Sequence, residues 1–209
     1  MNASRIPVLQ ARSLDFRYAE RPVFTHWSAD FHAGMNWLRG SNGSGKSTLL
    51  RLLAGALTPQ GGRLAVRGID ATGQPQAYRR EVFWCGPGAI AFDHLRPPEY
   101  FGFLRGLYPH FDAEALPAHL EGLGLQPFMG TRLSALSTGT QRKVWLAAAL
   151  VAGTAAVLID EPLNALDSAS LAYVRAQLAR CAESASCAWI VASHESIGEA
   201  ADRAVVIGL

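Results

Sequence analysis

Lysine is almost missing from this chain. Of 19 basic residues only Lys46 and Lys143 are lysines; the rest are arginines. Cysteine is scarce too. Cys85, Cys181 and Cys187 are odd in number and form no C-x-x-C pair, which argues against a disulfide framework and for a reducing compartment. Charge is sparse: 17% of residues are charged and the net is +2. That balance is too small to suggest a polyanion-binding face, so no nucleic-acid partner is expected. The opening MNASRIPVLQARS lacks the apolar core of a secretory leader. There is no internal repeat and no low-complexity segment. The longest uncharged run, Val144 to Ile159, has sixteen residues and is broken by Gly153 and Thr154. A membrane span needs about 20 residues. The run therefore predicts a helix end followed by a buried strand, and the chain is expected to be soluble, reaching a membrane only through a partner.

What is present is a well-cored globular composition, 49% hydrophobic over 209 residues, which predicts one domain covering 1–209. Residues 6–38 read as short strands with turns. A helix is expected at about 45–55, then two short strands, "GRLAVRG" and "REVFWCG". From about 89 the pattern turns helical, with amphipathic stretches "RPPEYFGFLRGLY" and "DAEALPAHLEGLG", the second capped by Asp112. The helix that follows extends this side lobe to about 150. "AAVLID" reads as a buried parallel strand. A helix at about 168–182, the strand "CAWIVAS", a short helix and the strand "RAVVIGL" complete the chain. Strands alternating with helices predict an α/β fold with a parallel sheet.

Three motifs carry chemistry. "GSNGSGKST", residues 40–48, fits G-x-x-x-x-G-K-[ST] between a strand and a helix, the mark of a P-loop NTPase. Its glycines let backbone N–H groups face phosphate oxygens, so Asn42, Gly43, Ser44, Gly45, Lys46, Ser47 and Thr48 are assigned to nucleotide binding. Lys46 would reach the β- and γ-phosphates, and the Ser47 hydroxyl would ligate Mg²⁺. The strand "AAVLIDEP" delivers Asp160, a second Mg²⁺ ligand, and Glu161, which faces another way and can polarise an attacking water. The alternative is two exposed acids at a strand end. Finally "LSTGTQRKVWLAAAL", residues 136–150, opens a helix with hydroxyls and a glycine. Such a tip holds an anion well, because its free N–H groups and dipole both favour negative charge; an ordinary capped core helix is the rival. A second anion site is unexplained by one nucleotide per chain.

In order and spacing, "GSNGSGKST", "LSTGTQRK", "VLIDEP", "NALD" and "ASHE" resemble the ATP-binding cassette (ABC) ATPase family over nearly the whole chain. The resemblance implies a RecA-like parallel core with an N-terminal antiparallel β-subdomain and a helical sub-lobe at about 89–150. It also accounts for the second anion site. Two cassettes pair head to tail, and Ser137 and Gly139 of one meet the γ-phosphate of the ATP bound by the other. By the same resemblance His194 is a switch group near the γ-phosphate, catalytic together with Glu161 and Lys46. Asp167 lies in the loop that spans the dimer contact and also suits a helix cap. Tyr18 stacks under adenine, with a plain edge-strand tyrosine as the rival.

The implied function is ATP hydrolysis driving a transporter, as a cytoplasmic subunit held at the inner membrane face by a transmembrane permease. The short chain also resembles the small exporter-type members, among them the ATPase serving cytochrome c maturation. A soluble ABC ATPase acting on ribosomes or DNA would carry two cassettes or a coiled-coil insertion, and neither is present. A weakly hydrolysing nucleotide-gated module is the other alternative. A P-loop GTPase is disfavoured because no N-K-x-D exists.

The pattern also has departures. Gly86 or Pro87 falls where the family has a glutamine, leaving a water or Asp93 to substitute at the metal shell. Thr138 and Thr140 replace a glycine and a glutamine of the signature, and Asn164 replaces the serine before "ALD". A slower or partner-controlled ATPase is expected.

Overall fold

The computed structural model describes residues 6–86 and 92–209. Pro87 and the expected start of the helical sub-lobe near 89 lie outside the described residues. The first layer is an antiparallel sheet in the order β2-β1-β4-β5, built from β1 (Leu9–Tyr18), β2 (Arg21–Phe31), β4 (Gly61–Val66) and β5 (Ile69–Asp70). The expectation of several short strands in 6–38 is corrected here. β1 and β2 run for ten and eleven residues. Their pairing slips between Ala11 and Leu14, where Ser13 has φ 48°, and again between Leu14 and Phe16, opposite a stretch containing His26 at φ 49°. A bulge adds an unpaired residue and breaks the period-2 pattern, so one bent strand reads as two short ones.

The second layer is a parallel sheet in the order β6-β7-β8-β3-β9: β3 (Gly34–Arg39), β6 (Val82–Cys85), β7 (Ala156–Asp160), β8 (Ala188–Ala192) and β9 (Val205–Gly208). Successive side chains point to opposite faces, and here both faces are covered. Val157 and Ile159 of β7, and Trp189 and Val191 of β8, join one apolar core with the helices. Ala156 and Leu158, with Ala188, Ile190 and Ala192, join another with the antiparallel sheet. All five residues of β7 and of β8 are buried, which is why the sequence shows continuous apolar runs there.

α1 (Lys46–Leu53) packs with the antiparallel sheet through Leu49, Leu50, Leu52 and Leu53. α3 (Pro97–Leu107), α5 (Thr138–Val151) and α6 (Ser168–Cys181) cover the other face. Two elements were not expected: β5, and α2 (Pro75–Arg80) with its proline in the first turn. The cap assigned to Asp112 is also corrected. Its Oδ1 accepts from the N–H groups of Glu114 and Ala115, at 3.1 and 3.0 Å. It therefore closes a turn, and α4 (Leu116–Gly122) starts later, beside Pro117. Gly153 does end the apolar run. At φ 65°, a side chain there would lie 1.9 Å from the His110 carbonyl oxygen. Among the described residues no helix is long and apolar enough to cross a membrane.

Candidate functional site

Four strand and helix ends converge at one rim of the parallel sheet. β3 runs into residues 40–45, which turn into α1. Gly45 has φ 102°, and a Cβ there would lie 2.9 Å from the Val23 side chain; conformation and space both demand glycine. Lys46 is buried. Its Nζ donates to the carbonyls of Gly40 and Ser41 at 2.7 and 3.0 Å, so the ammonium lies over its own loop. The Ser44 hydroxyl is buried with no partner among the described residues. The Ser47 hydroxyl lies close enough to Asp160 to favour its ionised form.

β7 ends at Asp160, which is only 6% exposed. Burial raises its carboxyl pKa above the usual range, and the Glu161 charge adds to this; the Ser47 hydroxyl, Arg142 and Lys46 pull it back. Glu161 follows with φ 50°, a left-handed conformation that costs a non-glycine residue about 1–3 kcal/mol. Three hydrogen bonds hold that peptide. The Glu161 N–H donates to the Ala192 carbonyl at 2.8 Å, and the Asn164 N–H donates to the Glu161 carbonyl at 3.3 Å. Arg142 Nη1 donates to the same carbonyl.

Because β8 lies between β7 and β3, the residues leaving β8 emerge between the acid pair and the glycine loop. Ser193 shapes that exit. Its hydroxyl donates to the Glu195 carbonyl at 2.9 Å and accepts from the Glu195 N–H at 3.2 Å. Trp37 Nε1 donates to the Ser193 carbonyl at 3.2 Å. His194 Nδ1 is thereby placed 3.0 Å from both carboxylate oxygens of Glu161. The hydrogen bond to Glu161, then that residue's charge, raises the His194 pKa.

A cavity of about 660 Å³ opens at this point, lined by Tyr18, residues 42–48, Arg142, Asp160, Glu161 and Asn164. Tyr18, 43% exposed, stands at its rim, edge-on to Phe16 at 4.9 Å, with its hydroxyl 3.4 Å from Thr48 Oγ1. The structure thus brings together Tyr18, the glycine loop, Asp160 and Glu161 around one cavity, with His194 on Glu161. Sequence reasoning missed Arg142. The signal available was its spacing: three residues after Gly139 on a helix, it shares that residue's face.

Ser137, Gly139 and Asp167 do not line the cavity. Ser137 caps α5, its Oγ accepting from the Thr140 N–H at 3.1 Å, and it is exposed. A Cβ on Gly139 would lie 2.5 Å from the Ala165 carbonyl oxygen, so the helix tip and the 164–167 loop are in backbone contact. Asp167 caps α6 through the N–H and hydroxyl of Ser170 at 2.9 and 3.0 Å and pairs with Lys143. The Lys143 hydrogen bond, then Ser170, holds its carboxyl far below the usual range. Asp93 does not line the cavity either; its backbone carbonyl accepts from Ser134. A Cβ on Gly86 would lie 2.5 Å from the Trp84 indole.

A phosphate-cradling loop, a buried acid beside the loop serine and a second acid held by a histidine define the class: a P-loop ATPase, with the acid-bearing strand separated from the loop strand by one other. Residues 25–164 match the ABC transporter domain family, and the chain belongs to that family and is one of its ATP-binding ATPases. Among its relatives are proteins named cytochrome c biogenesis ATP-binding export protein CcmA. The one from Pseudomonas savastanoi pv. phaseolicola is 36% identical over 174 residues, 83% of this chain and 82% of that protein. The one from Pseudomonas putida is 34% identical over 187 residues, 89% of each. Among solved structures, an ATP-binding subunit of an ABC transporter superposes with TM-score 0.81 at 21% identity, covering 90% of this chain and 79% of that one. A bacterial Atm1-family ABC exporter with ATP bound superposes with TM-score 0.73 at 22% identity, covering 93% of this chain and 36% of that one. These two likenesses concern the fold.

Proposed function

We propose that the chain is the ATP-hydrolysing subunit of an exporter of the cytochrome c biogenesis type, working at the inner membrane face as a pair of cassettes on a transmembrane permease. The observation that carries the enzymatic reading is the convergence of Lys46, Ser47, Asp160 and Glu161 on one cavity, with His194 on Glu161. Names of relatives matching most of this chain support the transport context.

Lys46 leaves its loop carbonyls and neutralises the β- and γ-phosphates, whose oxygens also take the N–H groups of residues 42–48. Tyr18 offers its exposed face to adenine. Ser47 and Asp160 fit a divalent cation: a hydroxyl and a buried carboxylate, the hard oxygen donors that Mg²⁺ prefers. When bound, Mg²⁺ would supply neutralisation of the phosphate charge. Glu161 accepts hydrogen bonding from the attacking water, and His194 holds that carboxylate and reads the terminal phosphate. The exposed tip at Ser137 and Gly139 serves the nucleotide of a second copy, with Asp167 in the loop behind it. The helical sub-lobe, about 89–150, presents Phe103 and Leu107, both large and exposed, as the face for the permease.

Phosphate release and binding of a fluorescent ATP analogue, measured on the wild type and Glu161→Gln, test this reading. General-base removal costs about 10²–10⁴-fold, so the variant should bind ATP normally and hydrolyse it at least a hundredfold more slowly. Equal, slow turnover by two proteins that both bind ATP would overturn it in favour of a nucleotide-gated module.

A further inference from the structure

Two charged side chains of the cavity, Arg21 and Arg142, are given no role by the loop chemistry or the acid pair, and of these Arg142 touches the acid pair's own turn. It comes from the second turn of α5, five residues beyond the Ser137 cap, and crosses to the turn after β7. There its Nη1 donates to the backbone carbonyl of Glu161. Its Nε is buried and has no partner among the described residues. Arg142 as a whole is half-buried, but a guanidinium carries five donors in a rigid fork, and leaving a buried one such as Nε unpaired is costly. Such an arrangement needs a reason beyond packing. The charge is close enough to the acid pair to lower the Asp160 pKa against the effect of burial, and it acts in the same direction on Cys85 at the end of β6.

The carbonyl that Arg142 holds belongs to the residue with φ 50°. If Glu161 relaxed to a negative φ, its side chain would leave the direction that brings both oxygens to His194. The clamp acts on the peptide, so it sets the aim of the carboxylate without touching it.

We infer that Arg142 is a positioning residue: it pins the left-handed peptide of Glu161 from the signature-bearing helix, so that a shift of α5 at one nucleotide re-aims the water-polarising carboxylate at the other. This rests on the proposed role of Glu161. It explains why a cation on the helix that presents Ser137 to a neighbour reaches into the chain's own cavity. The N-terminal turns of one helix then address two different nucleotides, the neighbour's through Ser137 and the chain's own through Arg142.

The test uses Arg142→Met, which keeps the stem's packing, and Arg142→Lys, which can still donate to the carbonyl. Arg142→Met should lower kcat by about 10- to 100-fold, while the affinity for a fluorescent ATP analogue in EDTA stays within about threefold. Arg142→Lys should recover most of that kcat. In the double variant with Glu161→Gln, Arg142→Met should cost nothing further, because both act through one group. A nucleotide-free crystal structure of Arg142→Met should show Glu161 at negative φ and off His194. Glu161 remaining left-handed on His194, multiplicative losses in the double variant, or loss of nucleotide affinity in parallel with kcat would each overturn the inference. So would failure of both Arg142 variants to fold. Wild-type turnover no faster than that of Glu161→Gln sinks the hydrolytic reading itself, whatever Arg142 does; an active wild type with indifferent Arg142 variants sinks only this inference.

Discussion

At the scale of single residues, His194 and Tyr18 show how one side chain's surroundings set a measurable outcome. His194 gains its partner only on folding, and its pKa is raised there by Glu161. Its folded value therefore lies above the unfolded one of about 6.5. The stability it contributes is fully present below that pH and is lost as pH rises through the folded value. Thermal melts of the wild type and His194→Gln should differ most near pH 6 and converge toward pH 9. A gap that widens with pH would show that the contact is not ionic. For Tyr18, whose ring is exposed at the cavity rim, base stacking is worth about 1–3 kcal/mol. Tyr18→Ala should weaken ATP binding by at least fivefold, with Tyr18→Phe close to wild type by fluorescence titration. Equal affinities for all three would leave Tyr18 as an edge-strand tyrosine.

At the scale of elements, the junction between α5 and the 164–167 loop is among the tightest packing near the site. A Cβ on Gly139 must displace the Ala165 carbonyl from 2.5 Å, and overpacking of this kind costs about 1–3 kcal/mol. Gly139→Ala should lower the unfolding free energy by that amount in urea titrations, even without nucleotide. An unchanged midpoint would mean that the loop yields freely and that Gly139 is kept for the partner's phosphate alone. This contact also marks what was legible in the sequence. The glycine loop, the acid pair and the histidine were readable because each lies at the end of an apolar strand, where pattern and position coincide. The cap by Asp167 was readable as one of two jobs. The backbone contact at Gly139 and the reach of Arg142 were not, because they depend on how a helix is set against a loop 26 residues away from Gly139 to Ala165 in sequence. Bulges hid the length of β1 and β2 for the opposite reason: pairing continues through positions where alternation stops. The shift of α4 past Asp112 follows from Pro117, which suits a first turn and thereby moved the start of the helix.

At the scale of the whole molecule, the exposed α5 tip stands apart from the chain's own cavity, which is why a second copy is proposed to complete each site. Light scattering of the 22.4 kDa chain should show a mass twice as large for Glu161→Gln in Mg·ATP and a single chain without nucleotide. A variant that stays single under saturating ATP while the wild type hydrolyses at full speed would refute the paired arrangement. Glu161→Gln is the right background because ATP binding to a dimer, with slow turnover, shifts the equilibrium by mass action. The layered architecture adds a consequence of its own. The apolar groups on the two faces of the parallel sheet form separate sets with no shared member, so the five strands act as a diaphragm between two chambers. A push delivered to the helices at Phe103 can reach the ring of Tyr18 only by tilting those strands or by way of the loops at their rim. Stiffening the diaphragm should uncouple the two sides while leaving each of them intact.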